Sequence, residues 1–255
     1  MKKSKNIFLN LCILALLTVV CFCGYKIGSF YLQNKQSEEK ITKIQEETTA
    51  TIEEETNRWI PNKDTWNEMK SKNNDYVGWL LWDNDMISEP IVQGVTNQTY
   101  LRTDIYGSYD IWGTVFLDSE AQLSDDNLPI YGHSLAGYKW DTNKFSQLQN
   151  MTTQSFYESA STYKIYWENN ISSYRVISAC LVDNSSDEWS YTQSQFLTEE
   201  EKEMWVNQAI SHSQITTNYT YTEGDKFTTF QTCYDDYSSI KYVIVGVETS
   251  SELYG

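Results

Sequence analysis

Apolar and polar residues follow different spacings along this chain, and each spacing marks a region. Residues 7–25 are apolar almost without a break, interrupted only by Asn10, Thr18 and Gly24. A run of that length is about what a helix needs to cross a hydrocarbon core. Residues 34–56 are polar and Glu-rich, with Ile41, Ile44 and Ile52 as the only bulky apolar side chains. They read as a partly helical spacer with no core of its own. From residue 57 onward, short runs of β-branched and aromatic residues alternate with turn-forming clusters. These predict strands at 76–82, 91–93, 113–118, 127–133, 162–167 and 173–183. Strands so short and so regularly spaced predict a closed or nearly closed barrel rather than βαβ units.

Two helices are expected around these strands. Asp64 is placed to cap a helix over 64–72, with Trp66 and Met69 on one side. Thr198-Glu199-Glu200-Glu201 reads as a capping box opening a helix to about Ser211, with Met204, Trp205 and Ile210 turned toward the core. The fold class is therefore mainly β with flanking helices.

The last two apolar runs, 226–233 and 240–247, flank the polar connection 234–239 and predict an antiparallel hairpin. Period-2 alternation puts Thr229, Gln231 and Cys233 on one face. Cys233 falls where the first strand gives way to the turn, anchored on one side and open on the other. Lys241 enters the return strand close to it. Two readings follow for Cys233: a small buried residue at a strand end, or a nucleophilic thiol with a positive charge beside it.

Bulk composition narrows the partners. A formal charge of −16 argues against nucleic acid, and against anionic lipid as a partner of the folded part. Residues 1–33 hold four lysines and no acid, so the remainder carries −20 against −16 for the whole. With Lys2, Lys3 and Lys5 ahead of the apolar run, a cytoplasmic N-terminus and an exported domain are expected. The run is long for a cleaved signal peptide, and no small-x-small site follows it. The expected organisation is an uncleaved anchor over 1–33, an acidic spacer over 34–56 and a folded domain over 57–255.

Of five cysteines, Cys12, Cys21 and Cys23 lie in the anchor, leaving Cys180 and Cys233 in the folded part. Their spacing does not suit a zinc site, and a Cys180–Cys233 disulfide is the structural alternative. The pairs Asp125-Asp126 and Asp235-Asp236 read as solvated loops rather than a metal site, and no cofactor is expected. There are two histidines. His212 ends the second predicted helix, where a cationic residue suits the helix dipole. His133 ends a strand behind Gly132, which permits close backbone approach, so its imidazole projects from the strand end; a lone histidine there is more often structural.

Taken jointly, Tyr131-Gly132-His133, the later Thr232-Cys233 and a basic residue entering the final strand resemble the sortases, membrane-anchored cysteine transpeptidases of Gram-positive bacteria. The resemblance is nearest to class B. It rests on Asn74-Asp75-Tyr76-Val77-Gly78-Trp79, Pro90-Ile91-Val92-Gln93, Asn97 followed by Tyr100-Leu101, Gly113-Thr114-Val115-Phe116-Leu117-Asp118, and the helix opening near Thr198. It implies an eight-stranded sortase-type β-barrel with N-terminal helices and a helix between the last strands.

The resemblance further implies a mechanism. Cys233 attacks a Thr carbonyl in the C-terminal sorting signal of a secreted protein, forming a thioester. His133 carries the proton, and Lys241 stabilises the oxyanion. An amine of a peptidoglycan cross-bridge or a pilin then takes the acyl group, outside a cell membrane crossed once by the anchor. Asn97, Leu101, Gln231 and Thr232 match groove positions; taken singly, Asn97 reads equally as a turn residue and Leu101 as a core leucine. In the family pattern an Arg stands where this chain has Lys241, with Arg102 and Arg175 as candidate replacements, and Ser is usual at Gln231. The rival readings are a cysteine hydrolase on the same fold and a catalytically silent, membrane-tethered binding module.

Overall fold

The computed structural model describes residues 2–54, 56–134, 144–233 and 239–254. Loop residues 135–137 and the connection 234–238, with its Asp235-Asp236 pair, lie outside them. The chain divides into two compact units, residues 1–43 and 44–255. The first is most of helix α1 (Lys2–Glu47), which is long and apolar enough to cross a membrane. Its Leu11, Leu14, Leu17 and Val20 are exposed.

The second unit starts earlier than the boundary expected at 57. Ile44 is buried, and β1 (Ala50–Glu53) pairs antiparallel with β2 (Arg58–Pro61). Part of the stretch read as spacer is therefore folded. A backbone-paired ribbon needs few apolar residues, so Glu-rich composition hid it. Helix α2 (Lys63–Lys72) follows, with Trp66 and Met69 buried as expected. Its cap is Asn62 rather than Asp64. The Asn62 Oδ1 accepts from the backbone N–H groups of Asp64 and Thr65, both at 3.0 Å, and Thr65 Oγ1 returns the bond to the Asn62 N–H. Asp64 instead sits in the first turn, where its charge suits the helix dipole.

Eight strands then close a barrel: β3 (Tyr76–Trp82), β4 (Ser88–Val92), β5 (Val115–Leu117), β6 (Asn127–Tyr131), β7 (Thr162–Tyr166), β8 (Asn170–Asp183), β9 (Phe227–Cys233) and β10 (Ile240–Leu253). Their order around the barrel is β10-β8-β7-β3-β4-β5-β6-β9, closed by β9 against β10. The β4–β5 and β6–β9 pairs are parallel and the other six antiparallel. A nine-residue 3-10 segment (Lys144–Thr152) and helix α3 (Gln154–Ser159) connect β6 to β7.

Alternation along each strand sorts the side chains into two clusters. Leu80, Trp82, Ile130, Tyr163, Val176, Phe230 and Ile244 fill the barrel. Trp82 centres this core, with ring centroids 4.5 Å from Tyr163 and 5.4 Å from Phe230. A second cluster lies outside, where Cys180, Val182, Phe227, Val243, Val245 and Val247 meet Trp189, Tyr191, Trp205, Val206 and Ala209. The last three belong to helix α4 (Glu199–His212).

Thr198 caps α4, accepting from the Glu201 N–H at 3.1 Å. The return half of the expected box is displaced by one residue: the Glu201 carboxylate accepts from the Leu197 N–H at 2.8 Å. Lys202, Trp205, Val206 and Ala209 form the buried stripe of α4, at helical spacing. Of the expected core contacts only Trp205 holds; Met204 and Ile210 are exposed, 63% and 37%. Buried Lys202 joins Glu199 to Asp126 with Nζ–O distances of 2.9 and 3.0 Å, fixing α4 to the start of β6.

Candidate active site

The same alternation decides what each strand end presents. On β9, Phe230 points into the barrel and Phe227 out, so Thr229, Gln231 and Cys233 share the outer face. On β10, Ile244 points in and Val243 and Val245 out, which places Lys241 outside. On β6, Leu128 and Ile130 point in, so Tyr131 faces out.

Register then brings these residues to one rim. Lys241 pairs directly with Cys233 across the antiparallel β9–β10 ladder. Parallel pairing matches Tyr131 to Gln231, and the Gly132 N–H still donates to the Gln231 carbonyl at 3.3 Å. His133 follows two residues beyond the end of β6, at the same end of the barrel where β9 ends at Cys233. Cys233 is a free, half-buried thiol, and the Lys241 Nζ donates to its Sγ at 3.5 Å. His133 is half-buried as well.

Gly132 carries its packing role on the inner face. A Cβ there would lie 2.3 Å from Cγ of buried Phe145. Phe145 in turn meets Phe230 edge-on at 5.9 Å. The strand end bearing His133 is thus seated against an aromatic ring that no larger residue would admit.

A polar wall stands over β6. Asp118 Oδ2 accepts from Asn97 Nδ2 at 2.9 Å and from the Tyr131 hydroxyl at 2.8 Å, while Oδ1 accepts from the Glu120 N–H at 2.9 Å. The Ser119 N–H donates to Asn97 Oδ1 at 2.8 Å, which fixes the amide's orientation. Gln93 Nε2 donates to the Asp118 and Ala121 carbonyls, both at 2.7 Å. Burial first, then the Asp118 carboxylate, push the Tyr131 phenol well above its usual range, keeping it a donor.

A second wall comes from the β8–α4 connection. The Tyr191 hydroxyl lies 2.8 Å from Gln231 Oε1 and 2.9 Å from Asn184 Oδ1. The Asn127 N–H donates to the Ser194 carbonyl at 3.0 Å and Asn127 Nδ2 to that of Gln193 at 2.9 Å, so this segment runs alongside the start of β6. Asp183 ties down the residue leading into β10. It accepts from the Ser239 hydroxyl and from Ser185, and these bonds hold its carboxyl down at about 2.

Of the residues read from the sequence, Cys233, Lys241 and Gln231 lie on the outer face at one end of the barrel, and His133 follows the end of β6 there. Asn97 is linked to that face through Asp118 and Tyr131. Leu101 is half-buried in the turn that follows Asn97. Thr232, read as a groove position, is 2% exposed and lies on the inward face, opposite to Gln231 and Cys233. Its hydroxyl, buried without a hydrogen-bond partner among the described residues, does not reach the groove. Asp118, Tyr131 and Tyr191 were not singled out. Tyr131 was legible, lying two before His133 on its strand; Tyr191, in an irregular segment, carried no signal.

The alternatives also resolve. Cys180 and Cys233 are both free, which removes the disulfide. Cys180 is buried in the outer cluster, its thiol donating to the Val243 carbonyl at 3.6 Å, and burial pushes it up to about 12. Arg102 donates to the Ile111 carbonyl. Arg175 pairs with Val247, whereas Lys241 pairs with Val182, seven residues along β8 and about 23 Å away. His212 bridges Asp187 at 2.8 Å and the Gln208 carbonyl at 2.7 Å and stacks on Trp189, a structural role. Among the described residues, no group of three or more His, Cys, Asp or Glu is placed to hold a metal ion. A 600 Å³ hollow over α4, lined by Met204, Trp205 and Gln208, includes none of the residues at the Cys233 rim.

No protein-family model matches the chain. Sortase B of Staphylococcus aureus (strain NCTC 8325 / PS 47) is 25% identical over 243 residues, covering 94% of this chain and 95% of its own length. Its 2.0 Å crystal structure superposes with a TM-score of 0.67 at 25% identity, over 74% of this chain and 88% of that one. The chain is related to the class B sortases. Sortase B of Listeria monocytogenes serovar 1/2a is likewise 25% identical over 242 residues, 91% of this chain and 93% of its own. The closed eight-stranded barrel with its flanking helices is the architecture of the class B sortase structures.

Proposed function

We propose that this protein is a membrane-anchored, class B-type sortase that cleaves a C-terminal sorting signal and transfers the acyl group to an amine. One observation carries the reading: a half-buried thiol at the end of β9 with an ammonium at 3.5 Å on its cross-strand partner, at the end of the barrel where the strand leading to His133 also finishes. Relatedness to the class B sortases supports transpeptidase chemistry in general. S. aureus sortase B has been solved with a substrate, and a sortase B with triglycine; these support a peptide donor and an amine acceptor by analogy of fold.

The Cys233 thiolate attacks the carbonyl of a Thr in the signal, and the Lys241 ammonium faces the oxyanion that develops. His133 gives a proton to the departing amine and takes one from the incoming amine. Asn97 and Leu101 on one side and Gln231 on the other line the groove. The incoming amine belongs to a peptidoglycan cross-bridge or a pilin. The anchor crosses the membrane once, with the lysines inside and the acidic barrel outside.

Mass spectrometry of the full chain with a panel of threonine-containing sorting peptides tests this, with and without triglycine. The wild type is expected to form a hydroxylamine-labile adduct that Cys233→Ala lacks, and triglycine is expected to convert it to ligated product. A product distribution unchanged by triglycine would leave a hydrolase. Labelling of Cys233 no faster than an ordinary exposed thiol, with no adduct, would leave a binding module.

A further inference from the structure

The residue beside Cys233 is a primary amine, and primary amines are what resolve the proposed thioester. We infer that Lys241 is itself an acyl acceptor: in the absence of an external amine, the acyl group passes from Cys233 to the Lys241 Nζ and remains there as an amide. This rests on the thioester chemistry proposed above and goes beyond it, adding a self-modification whose donor is the sorting peptide and whose acceptor is the protein's own side chain.

Three features of the structure lead to it. The Nζ lies 3.5 Å from Sγ. The thioester carbonyl carbon is one bond from that sulfur, so the amine starts within the range of a near-attack arrangement. Lys241 and Cys233 are direct cross-strand partners on the same face, so the ladder holds the two side chains together throughout the reaction. Lys241 is also half-buried rather than enclosed, and its four-carbon stem leaves the head free to swing toward the carbonyl. Acylation neutralises the sulfur, so the ammonium no longer faces an anion that holds it in place. An arginine could not follow this course, because its guanidinium stays protonated.

The step balances without any further reagent. The Lys241 ammonium releases one proton to solvent or to His133. Its nitrogen then forms a bond to the thioester carbonyl carbon, and the C–S bond breaks. The second nitrogen proton passes to the departing sulfur, regenerating the Cys233 thiol. The amide is stable where the thioester is not, so each event removes the charge at Lys241 and leaves cargo fixed to the protein.

The sequence supplies a clean assay. No Lys or Arg lies between Phe227 and Lys241 or after Lys241, so trypsin releases 227–241, which contains both residues. Acylation of Lys241 blocks that cleavage and yields 227–255 carrying the acyl mass, resistant to hydroxylamine. Acylation of Cys233 alone yields 227–241 with a labile mass. The full chain in detergent is incubated with the sorting-peptide panel without an added amine and digested with and without prior hydroxylamine treatment. The resistant 227–255 species is expected to accumulate in the wild type and to be lost in Lys241→Arg, in Cys233→Ala and with excess triglycine. A labile adduct on 227–241 with no resistant species overturns self-acylation and leaves the transpeptidase reading intact. Absence of any adduct overturns both.

Discussion

Removing the Asp118 carboxylate should separate groove shape from chemistry. Asp118→Ala deletes the acceptor shared by Asn97 Nδ2 and the Tyr131 hydroxyl, at 2.9 and 2.8 Å, together with that of the Glu120 N–H. Glu120 is exposed and water can serve its N–H. The other two donors belong to half-buried side chains and lose a charged acceptor. Such bonds contribute about 1.5–3 kcal/mol each, and partial solvent access lowers the pair to ~2–4 kcal/mol of folding stability.

The larger consequence is local. Asn97 keeps the Ser119 bond, and Tyr131 keeps its hydrogen bond with Thr192 and its ring contact with Phe116 at 5.2 Å. Cys233, His133 and Lys241 sit at the ends of β9, β6 and β10, whose ladders do not use Asp118. The expected signature is a KM raised about tenfold, equivalent to ~1.4 kcal/mol of lost binding, with kcat changed less. Tyr131→Phe should give a smaller shift in the same direction. A double-mutant cycle between the two positions should show coupling of about 0.5–3 kcal/mol in urea denaturation. An unchanged unfolding midpoint and KM in Asp118→Ala would refute this account of the wall. So would a fall in kcat at constant KM.

Other expectations are separable from this one. Hydrogen bonds from Tyr221, Lys202 and the Gly224 N–H hold the Glu199 carboxyl at about 2 against an ordinary 4.5, and Ser239 and Ser185 do the same for Asp183. A carboxyl held low in the folded state contributes stability that is full above its ordinary value and lost as pH falls toward about 2; Glu199→Gln should flatten the acid limb of a urea-midpoint profile across that window. Burial pushes the Cys180 thiol up to about 12, so iodoacetamide should label Cys233 in the native barrel and reach Cys180 only on unfolding, read by peptide mapping. Gly132→Ala forces a Cβ to 2.3 Å from Phe145 Cγ and should cost about 1–3 kcal/mol in denaturant titration, with a loss of activity as His133 shifts. Lys241→Arg should speed thioester formation in stopped-time mass spectrometry, because a planar fork holds an oxyanion more rigidly than an ammonium; an unchanged rate would mean that the stabilisation comes from elsewhere.

What the sequence made legible depended on how much of each signal was local. β3 matched its expected bounds because Tyr-Val-Gly-Trp-Leu-Leu-Trp is a nearly continuous buried run. The rim was legible because alternation sorts Gln231 and Cys233 to one face and pairing across a short hairpin brings Lys241 back. That same alternation argues against Thr232 as a groove side chain, since a neighbour of Cys233 on a strand must face the other way. The stripe of α4 was misread because Met204 and Ile210 are as apolar as Val206, and only the position of the barrel decides which stripe is buried. Outer-face Val243, Val245 and Val247 are as hydrophobic as the residues inside, so composition alone could not tell one cluster from two. Tyr191 acts through contacts with Asn184 and Gln231 at sequence separations of 7 and 40, which no local pattern encodes.

The two-cluster arrangement explains why a groove can exist here at all. A closed barrel has no free edge for a peptide to join, and its interior is filled by Trp82, Tyr163 and Phe230. Much of the outer surface of β8, β10 and β9 is covered in turn by α4 and the segment before it. Cys233 ends β9 at the rim, between β6 and β10 in the barrel order. Gln231, one pleat below Cys233, is held by Tyr191 of the covering segment. A shorter side chain at position 231 would release Tyr191 and leave a gap at that point. Gln at 231 thus makes the wall on this side part of the fold rather than of the ligand, and peptide selectivity should respond to Gln231→Ser through Tyr191 while thiol reactivity at Cys233 does not.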